Sequence, residues 1–250
     1  MIMDLSGKTA VITGGSSGIG KAIARLFAQR GANVVIISNT STAQGEKTIN
    51  EINKWNSHSC YFSADLRHEF EIKNMFEKIK QEYCSIDILI NNAGRTFNIP
   101  FEQITEESFV NDITTNLTSA VLCSKYAVEL MTNENGWIVN TSSIRGFDYT
   151  GRPGIIGYCS AKSGINSFTK NLAYHLAPRI FVNAVAPGFV HTNYIDNMAP
   201  EMVKKWENDI PIGRLIKPEE IAEVYYLLCT SKIFTGSIVT ADGGYGILGK

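Results

Sequence analysis

Histidine is scarce in this chain of 250 residues: the four present, His58, His68, His175 and His191, are scattered, so no metal site is expected. Cysteine is hardly more frequent. Cys60, Cys84, Cys123, Cys159 and Cys229 are odd in number and contain no Cys-x-x-Cys pair, and they read as reduced packing residues rather than a disulfide framework. An excess of one charge is also missing, because 23 basic and 24 acidic side chains leave a formal net charge of -1. That balance offers no bulk attraction for nucleic acid or an anionic membrane, and neither is expected as a partner. No apolar run approaches membrane-spanning length. The opening Met-Ile-Met-Asp-Leu-Ser-Gly-Lys lacks the basic start and long apolar segment of a secretory signal, so a cytoplasmic location is expected. No linker-like, low-complexity or repeated stretch interrupts an ordinary globular composition of 44% hydrophobic and 19% charged residues, and a single domain over 1–250 is expected.

What the sequence does contain is an alternation of short apolar runs and helical patterns. Thr9 to Thr13, Val34 to Ser38, Cys60 to Ser63, Ile86 to Ile90, Trp137 to Asn140, Ile180 to Val185 and Ser237 to Thr240 read as strands. Between them, Lys21 to Arg30, Thr42 to Trp55, Glu69 to Tyr83, Glu107 to Met131, Ile156 to Leu176 and Pro218 to Cys229 read as helices. Most of the strands are continuously apolar, as strands buried on both faces are. The pattern predicts an α/β fold: a Rossmann-like, doubly wound parallel sheet of about seven strands with helices on both faces.

Thr13-Gly14-Gly15-Ser16-Ser17-Gly18-Ile19-Gly20 lies between the first strand and the first helix. Glycines there permit a tight turn, let backbone amides approach a pyrophosphate, and place it at a helix N-terminus with free N–H groups. The spacing Gly-x-x-x-Gly-x-Gly differs from Gly-x-Gly-x-x-Gly, and no Lys-Ser or Lys-Thr closes a Walker loop. A merely tight β-α connection is the alternative.

Tyr158 and Lys162 in Tyr-Cys-Ser-Ala-Lys are separated by one helical turn and share a face. A free phenol titrates near about 10, and an adjacent ammonium is expected to lower that value, making Tyr158 a proton donor or acceptor. Taken alone the pair is also a common feature of amphipathic helices.

Together, Thr13 to Gly20, Asn91-Asn92-Ala93-Gly94, Asn116, Ser142-Ser143, Tyr158-x-x-x-Lys162 and Pro187-Gly188 resemble the short-chain dehydrogenase/reductase family, in family order from about Gly7 to Gly244. The resemblance implies an enzyme that moves a hydride between a nicotinamide dinucleotide and a small carbonyl or secondary alcohol substrate. It implies a catalytic set of Asn116, Ser143, Tyr158 and Lys162, with Tyr158 as acid or base, Ser143 holding the reacting oxygen, and Lys162 lowering the phenol and gripping the nicotinamide ribose. Asn116 would hold a water linking Lys162 to solvent, and by residue type alone it is a local bend with a satisfied amide. Ser143 rather than Ser142 follows from the Ser-x-x-Gly run ending at Gly146, and Ser142 stays open.

The same resemblance gives the cofactor site: Gly14, Ser16, Ser17, Gly18, Ile19 and Gly20 in the turn, Ser38, Asn39 and Thr40 after the second strand, and Asp65 and Leu66 after the third. Asn92, Ala93 and Gly94 follow the fourth, and Pro187, Gly188, Val190 and Thr192 follow the sixth, with Tyr158 and Lys162 completing it. Asp65 reads equally as a helix N-cap. No carboxylate ends the second strand, where one would accept from a ribose 2′-OH and repel a 2′-phosphate, so NADP(H) is preferred and NAD(H) is the alternative. No Arg lies in that stretch to grip the phosphate.

The segment from Phe147 to Gly157 is about two residues longer than is usual between the serine and the tyrosine. It carries Asp148, Tyr149 and Arg152, and with Arg145 and Arg95 it could meet an acidic substrate or be solvated surface charge. Residues 188–215, with His191, Thr192, Tyr194 and Trp206, are expected to fold over the substrate. A homotetramer, or a dimer, is implied through the long helices and the C-terminal strand. A non-catalytic dinucleotide-binding regulator needs only the glycine turn and leaves Ser143, Tyr158 and Lys162 unexplained. A nucleotide-sugar epimerase or dehydratase would want more chain after Thr240.

Overall fold

The computed structural model describes residues 4–39, 42–55, 58–192, 195 and 198–248. Among them, Thr9–Thr13 (β1), Asn33–Ser38 (β2), Cys60–Ser63 (β3), Ile88–Asn91 (β4), Gly136–Thr141 (β5), Ile180–Pro187 (β6) and Ile238–Ala241 (β7) pair into one sheet. Every pairing is parallel, in the order β3-β2-β1-β4-β5-β6-β7. Ile12 aligns with Ile36 on one side and Ile90 on the other. These three face a core completed by Ile23 and Phe27 of α1 (Gly18–Gln29) and by Tyr225 and Leu228 of α8 (Pro218–Thr230). Their neighbours Val11, Val35 and Leu89 face the opposite core, built with Ile72 and Phe76 of α3 (Glu69–Tyr83), Cys123 and Ala127 of α5 (Ser119–Leu130), and Ala173 of α6 (Ile156–Leu176). Successive side chains of a strand point to opposite faces, so a sheet covered on both sides needs apolar residues at every position. Each such Ile or Val contributes on the order of 1.5–3 kcal/mol by leaving water.

The expected β4 starts two residues late. The N–H of Ile86 donates to the carbonyl of Leu130 at the end of α5 instead of entering the sheet. The helix read from Glu107 to Met131 is interrupted. It runs as α4 (Glu106–Ile113), a wider π turn over Thr114–Thr118, and then α5. The cause lies in Asn116, whose amide Nδ2 donates to the carbonyls of Asp112 at 3.1 Å and Arg95 at 2.9 Å, while its Oδ1 accepts from the Arg95 N–H at 2.9 Å. A side chain inserted into the helical ladder widens the turn around it. α2 (Thr42–Ile52) is followed by a 3₁₀ turn, Asn53–Trp55, and a further helix, α7 (Pro200–Asp209), lies in the 188–215 segment where the sequence reading placed no element. Among the described residues no helix is long and apolar enough to cross a membrane.

Strand order reverses between β1 and β4. In such sheets the crevice beyond the carboxyl ends at that point receives ligands.

Candidate active site

The turn after β1 is built for close approach. Gly14 has φ +67, and a Cβ there would stand 2.9 Å from Asn92 Nδ2; at Gly20 a Cβ would collide with the Gly14 carbonyl oxygen. Asn92 Nδ2 donates to the carbonyls of Thr13 at 3.1 Å and Gly14 at 3.3 Å, and Thr13 Oγ1 accepts from the N–H groups of Asn92 at 2.9 Å and Ala93 at 3.0 Å. The glycine turn and the Asn92–Gly94 run are thereby tied together across the switch point. Ser17 occupies the cap of α1 without a side-chain capping bond, and no acidic residue sits in the first turn. The helix end therefore presents its N–H groups and partial positive charge to an anion rather than to a carboxylate of its own. Ser17 is exposed and Ser16 is buried, the Ser16 carbonyl accepting from Gln44 and Thr48. Thr192 reaches the same turn, its Cγ2 lying 3.4 Å from where a Gly18 Cβ would be. Gly188 packs against Asp242, where a Cβ would be 2.8 Å from Cα, and Val190 is buried in a bridge to Ile216. These features fit a dinucleotide pyrophosphate: an uncapped helix end, and glycines whose missing Cβ atoms leave the backbone within reach.

The flank expected to read the ribose is arranged differently. Ser38 is buried, and its hydroxyl donates to the phenol of Tyr61 at 3.5 Å while Tyr61 donates to the Ser38 carbonyl at 3.1 Å. Asn39 is exposed, and Thr40 lies outside the described residues. Asp65 is not the cap of α3, a place held by His68. Its carboxylate accepts from the Arg67 N–H at 3.0 Å and from the guanidinium of Arg67, which holds it down at about 2, while Leu66 is buried behind it.

On the other side of the crevice Lys162 is buried, and its ammonium donates to the Thr141 carbonyl at 2.7 Å. Burial pushes this amine down to about 8. A Cβ at Gly94 would lie 2.8 Å from Asn116 Oδ1 and 3.5 Å from Lys162 Nζ, so the run after β4, the π turn and α6 meet at one point. Tyr158 is half-buried on α6 with Lys162 Nζ 5.5 Å from its ring centre. The expectation that this amine makes the phenol more acidic is corrected: burial pushes Tyr158 above the ordinary phenol value, and hydrogen bonds from Ser143 and Thr96 and the charge of Arg145 offset it only in part. Desolvation wins because Lys162 spends its ammonium on a carbonyl and is itself stripped of water.

The two serines separate cleanly. Ser142 is buried, with its hydroxyl donating to Asn166 Oδ1 at 2.6 Å, whereas Ser143 Oγ accepts from the Arg145 N–H at 3.1 Å and reaches the Tyr158 hydroxyl. Thr96 and Arg145 were not assigned to the Tyr158 hydroxyl by the sequence. Their spacing from it carries no signal, since they arrive from the loop after β4 and the turn after β5. Beneath the site, Asn91 Nδ2 donates to Asn140 Oδ1 at 2.9 Å, and Asn140 Nδ2 to Thr169 Oγ1 at 2.9 Å, locking β4, β5 and α6 together.

A family model described as enoyl-(acyl carrier protein) reductase matches residues 14–246. The chain is 37% identical over 249 residues to a 3-oxoacyl-[acyl-carrier-protein] reductase of Aquifex aeolicus, covering 98% of this chain and 99% of the other. It is likewise 37% identical over 246 residues to the 3-oxoacyl-[acyl-carrier-protein] reductase of Thermotoga maritima, covering 97% and 99%. The solved structure of a short-chain type dehydrogenase/reductase from Mycobacterium marinum superposes with a TM-score of 0.91 at 32% identity, over 98% of this chain and 97% of that one.

Proposed function

The chain belongs to the short-chain dehydrogenase/reductase family and is a nicotinamide-dependent oxidoreductase, and on that premise we propose that it reduces a small carbonyl compound to a secondary alcohol with Tyr158 as the acid. The observation that carries this reading is the convergence of Ser143, Tyr158 and Lys162 across the crevice from an uncapped helix end. When bound, the reduced nicotinamide supplies the hydride to the carbonyl carbon, and the oxygen then needs one proton. A phenol is protonated at neutral pH, and burial, which pushes Tyr158 further up, leaves it in the form that can give that proton to a developing alkoxide. Ser143 holds the same oxygen through its hydroxyl and lowers the barrier by aiming a dipole where charge develops. Lys162 would hold the ribose, and Asn116 would order the solvent side of Lys162 from within the π turn.

Gly14, Ser16, Ser17, Gly18, Ile19 and Gly20 would hold the pyrophosphate, and Asp65, Leu66, Asn92, Ala93 and Gly94 the adenosine. Pro187, Gly188, Val190 and Thr192 would close over the nicotinamide, and residues 188–215 over the substrate. NADP(H) is favoured by the exposed amide of Asn39 and the lack of a carboxylate at the end of β2, with Ser38 turned inward. We assign the protein to the cytoplasm as a homotetramer of single-domain subunits. The relatives from Aquifex aeolicus and Thermotoga maritima are 3-oxoacyl-[acyl-carrier-protein] reductases, and 3-oxoacyl groups, sugars or polyols, and cyclic ketones all suit the chemistry. A panel of these compounds assayed with NADPH and NADH by nicotinamide absorbance tests the reading. Turnover of at least one carbonyl class supports it, and binding of the dinucleotide without turnover of any would mark a regulator instead.

A further inference from the structure

Two guanidinium groups approach the reacting end of the crevice without a carboxylate partner. Arg145 lies two residues past Ser143, and one of its terminal nitrogens donates to the Thr150 carbonyl at 2.9 Å, which fixes the side chain. Its guanidinium carbon sits 5.7 Å from the ring centres of both Phe189 and Tyr245. Arg152, from the lengthened loop, lies 5.9 Å over Trp206 of α7, and Trp206 in turn stacks on Phe189 at 4.7 Å. Both charges act on the thiol of Cys159, the residue after Tyr158; that of Arg145, which is half-buried, also acts on the Tyr158 hydroxyl, and Arg152 is exposed. Of the nearby carboxylates, Asp242 accepts from the N–H groups of Gly244 and Gly246, and Asp148 is exposed. Among the described residues no ion pair joins Arg145 or Arg152 to an acid.

A half-buried guanidinium held between aromatic rings has shed much of its water and is short of a counter-charge. Its planar fork matches a carboxylate better than any neutral group. We infer that Arg145, with Arg152 behind it, forms an anion subsite, and that the substrate is an oxo-carboxylate whose carbonyl faces Tyr158 while its carboxylate pairs with Arg145. This rests on the oxidoreductase reading above and narrows its substrate class.

The test uses the full-length protein with NADPH and NADH, and 3-oxo-, 4-oxo- and 5-oxo-carboxylates each compared with the matching methyl ester. At one chain length or more, kcat/KM for the acid should exceed that for the ester by about ten-fold or more, the effect of one charge-assisted contact. Arg145→Gln should collapse that acid-to-ester ratio by about ten-fold, mainly through KM of the acid, and Arg145→Lys should restore part of it. The ratio is insensitive to any general effect of the substitution on Tyr158, and thermal unfolding with and without dinucleotide identifies a variant that fails to fold, in which case Arg152→Gln and Arg145→Lys carry the comparison. Esters that match or outperform the acids at every length, or a ratio unmoved by Arg145→Gln and Arg152→Gln, overturn the anion subsite while leaving the reductase intact. If neither acids, esters nor the wider carbonyl panel turn over, both readings fall together.

Discussion

Lys162 and Tyr158 share one face of α6, yet the ammonium of Lys162 lies 5.5 Å from the centre of the phenol ring and gives its hydrogen bond to the Thr141 carbonyl. The two groups are neighbours without being paired. Each is displaced toward its neutral form by burial, the amine downward and the phenol upward. A site in that condition holds a protonated phenol beside a buried ammonium, and the same phenol would act as acid in carbonyl reduction and, once ionised, as base in alcohol oxidation.

Replacing Tyr158 with Phe removes the hydroxyl and leaves the ring packing in place. Turnover should fall by about 10²–10⁴-fold, the usual value of a positioned acid, while dinucleotide binding followed by nicotinamide fluorescence stays within a few-fold of the parent. Wild-type kcat in this variant would remove Tyr158 from the chemistry.

The two serines should separate by phenotype. Ser143→Ala is expected to lower kcat by about 10²-fold with little change in melting temperature, as loss of one donor to a developing oxyanion does. Ser142→Ala breaks the 2.6 Å bond to Asn166 in a buried place and should cost about 1–3 kcal/mol of stability in urea unfolding. The reverse pattern would exchange their roles.

The pH dependence of stability isolates Lys162. Below pH 8 its amine is protonated in folded and unfolded chains alike, and the whole cost of burying the charge weighs on the native state. Between pH 8 and the ordinary value of 10.5 the native state releases the proton while the unfolded chain keeps it, so the native state gains stability as pH rises. Lys162→Met has no such dependence. Its stability relative to the parent, measured by urea unfolding of cofactor-free protein, should therefore decline by about 1.4 kcal/mol per pH unit across that window. A difference that is flat with pH would mean that the amine is hydrated.

Asn39→Asp places a carboxylate at the exposed end of β2. The ratio of kcat/KM with NADPH to that with NADH should drop by about ten-fold or more, because the new charge repels a 2′-phosphate and accepts from a 2′-hydroxyl. An unchanged ratio would put the cofactor ribose elsewhere.

Much of this molecule was legible in its residue pattern. Continuous apolar runs such as Val34 to Ile37 announced strands covered on both faces, and the glycines from Gly14 to Gly20 announced the turn, because both depend on local chemistry that repeats in any fold. The placement of Tyr158 and Lys162 on one helical face followed from helix geometry alone. The π turn at Thr114–Thr118 did not, since it depends on Asn116 finding the backbone of Arg95, 21 residues away in sequence. Helix α7 was hidden too: its residues are mostly polar, and the apolar partners of Trp206 come from the far end of the chain and the loop after β6.

Local chemistry, then, determined most of the elements and the parallel class of the sheet, and the family resemblance pointed to the candidate reacting groups. Tertiary structure decided how those groups are charged and which of two serines faces the phenol. Protonation depends on the water excluded by every neighbouring element and on partners such as Thr96 from the loop after β4, Thr141 at the end of β5 and Arg145 from the turn that follows it, and no spacing along the chain encodes that sum.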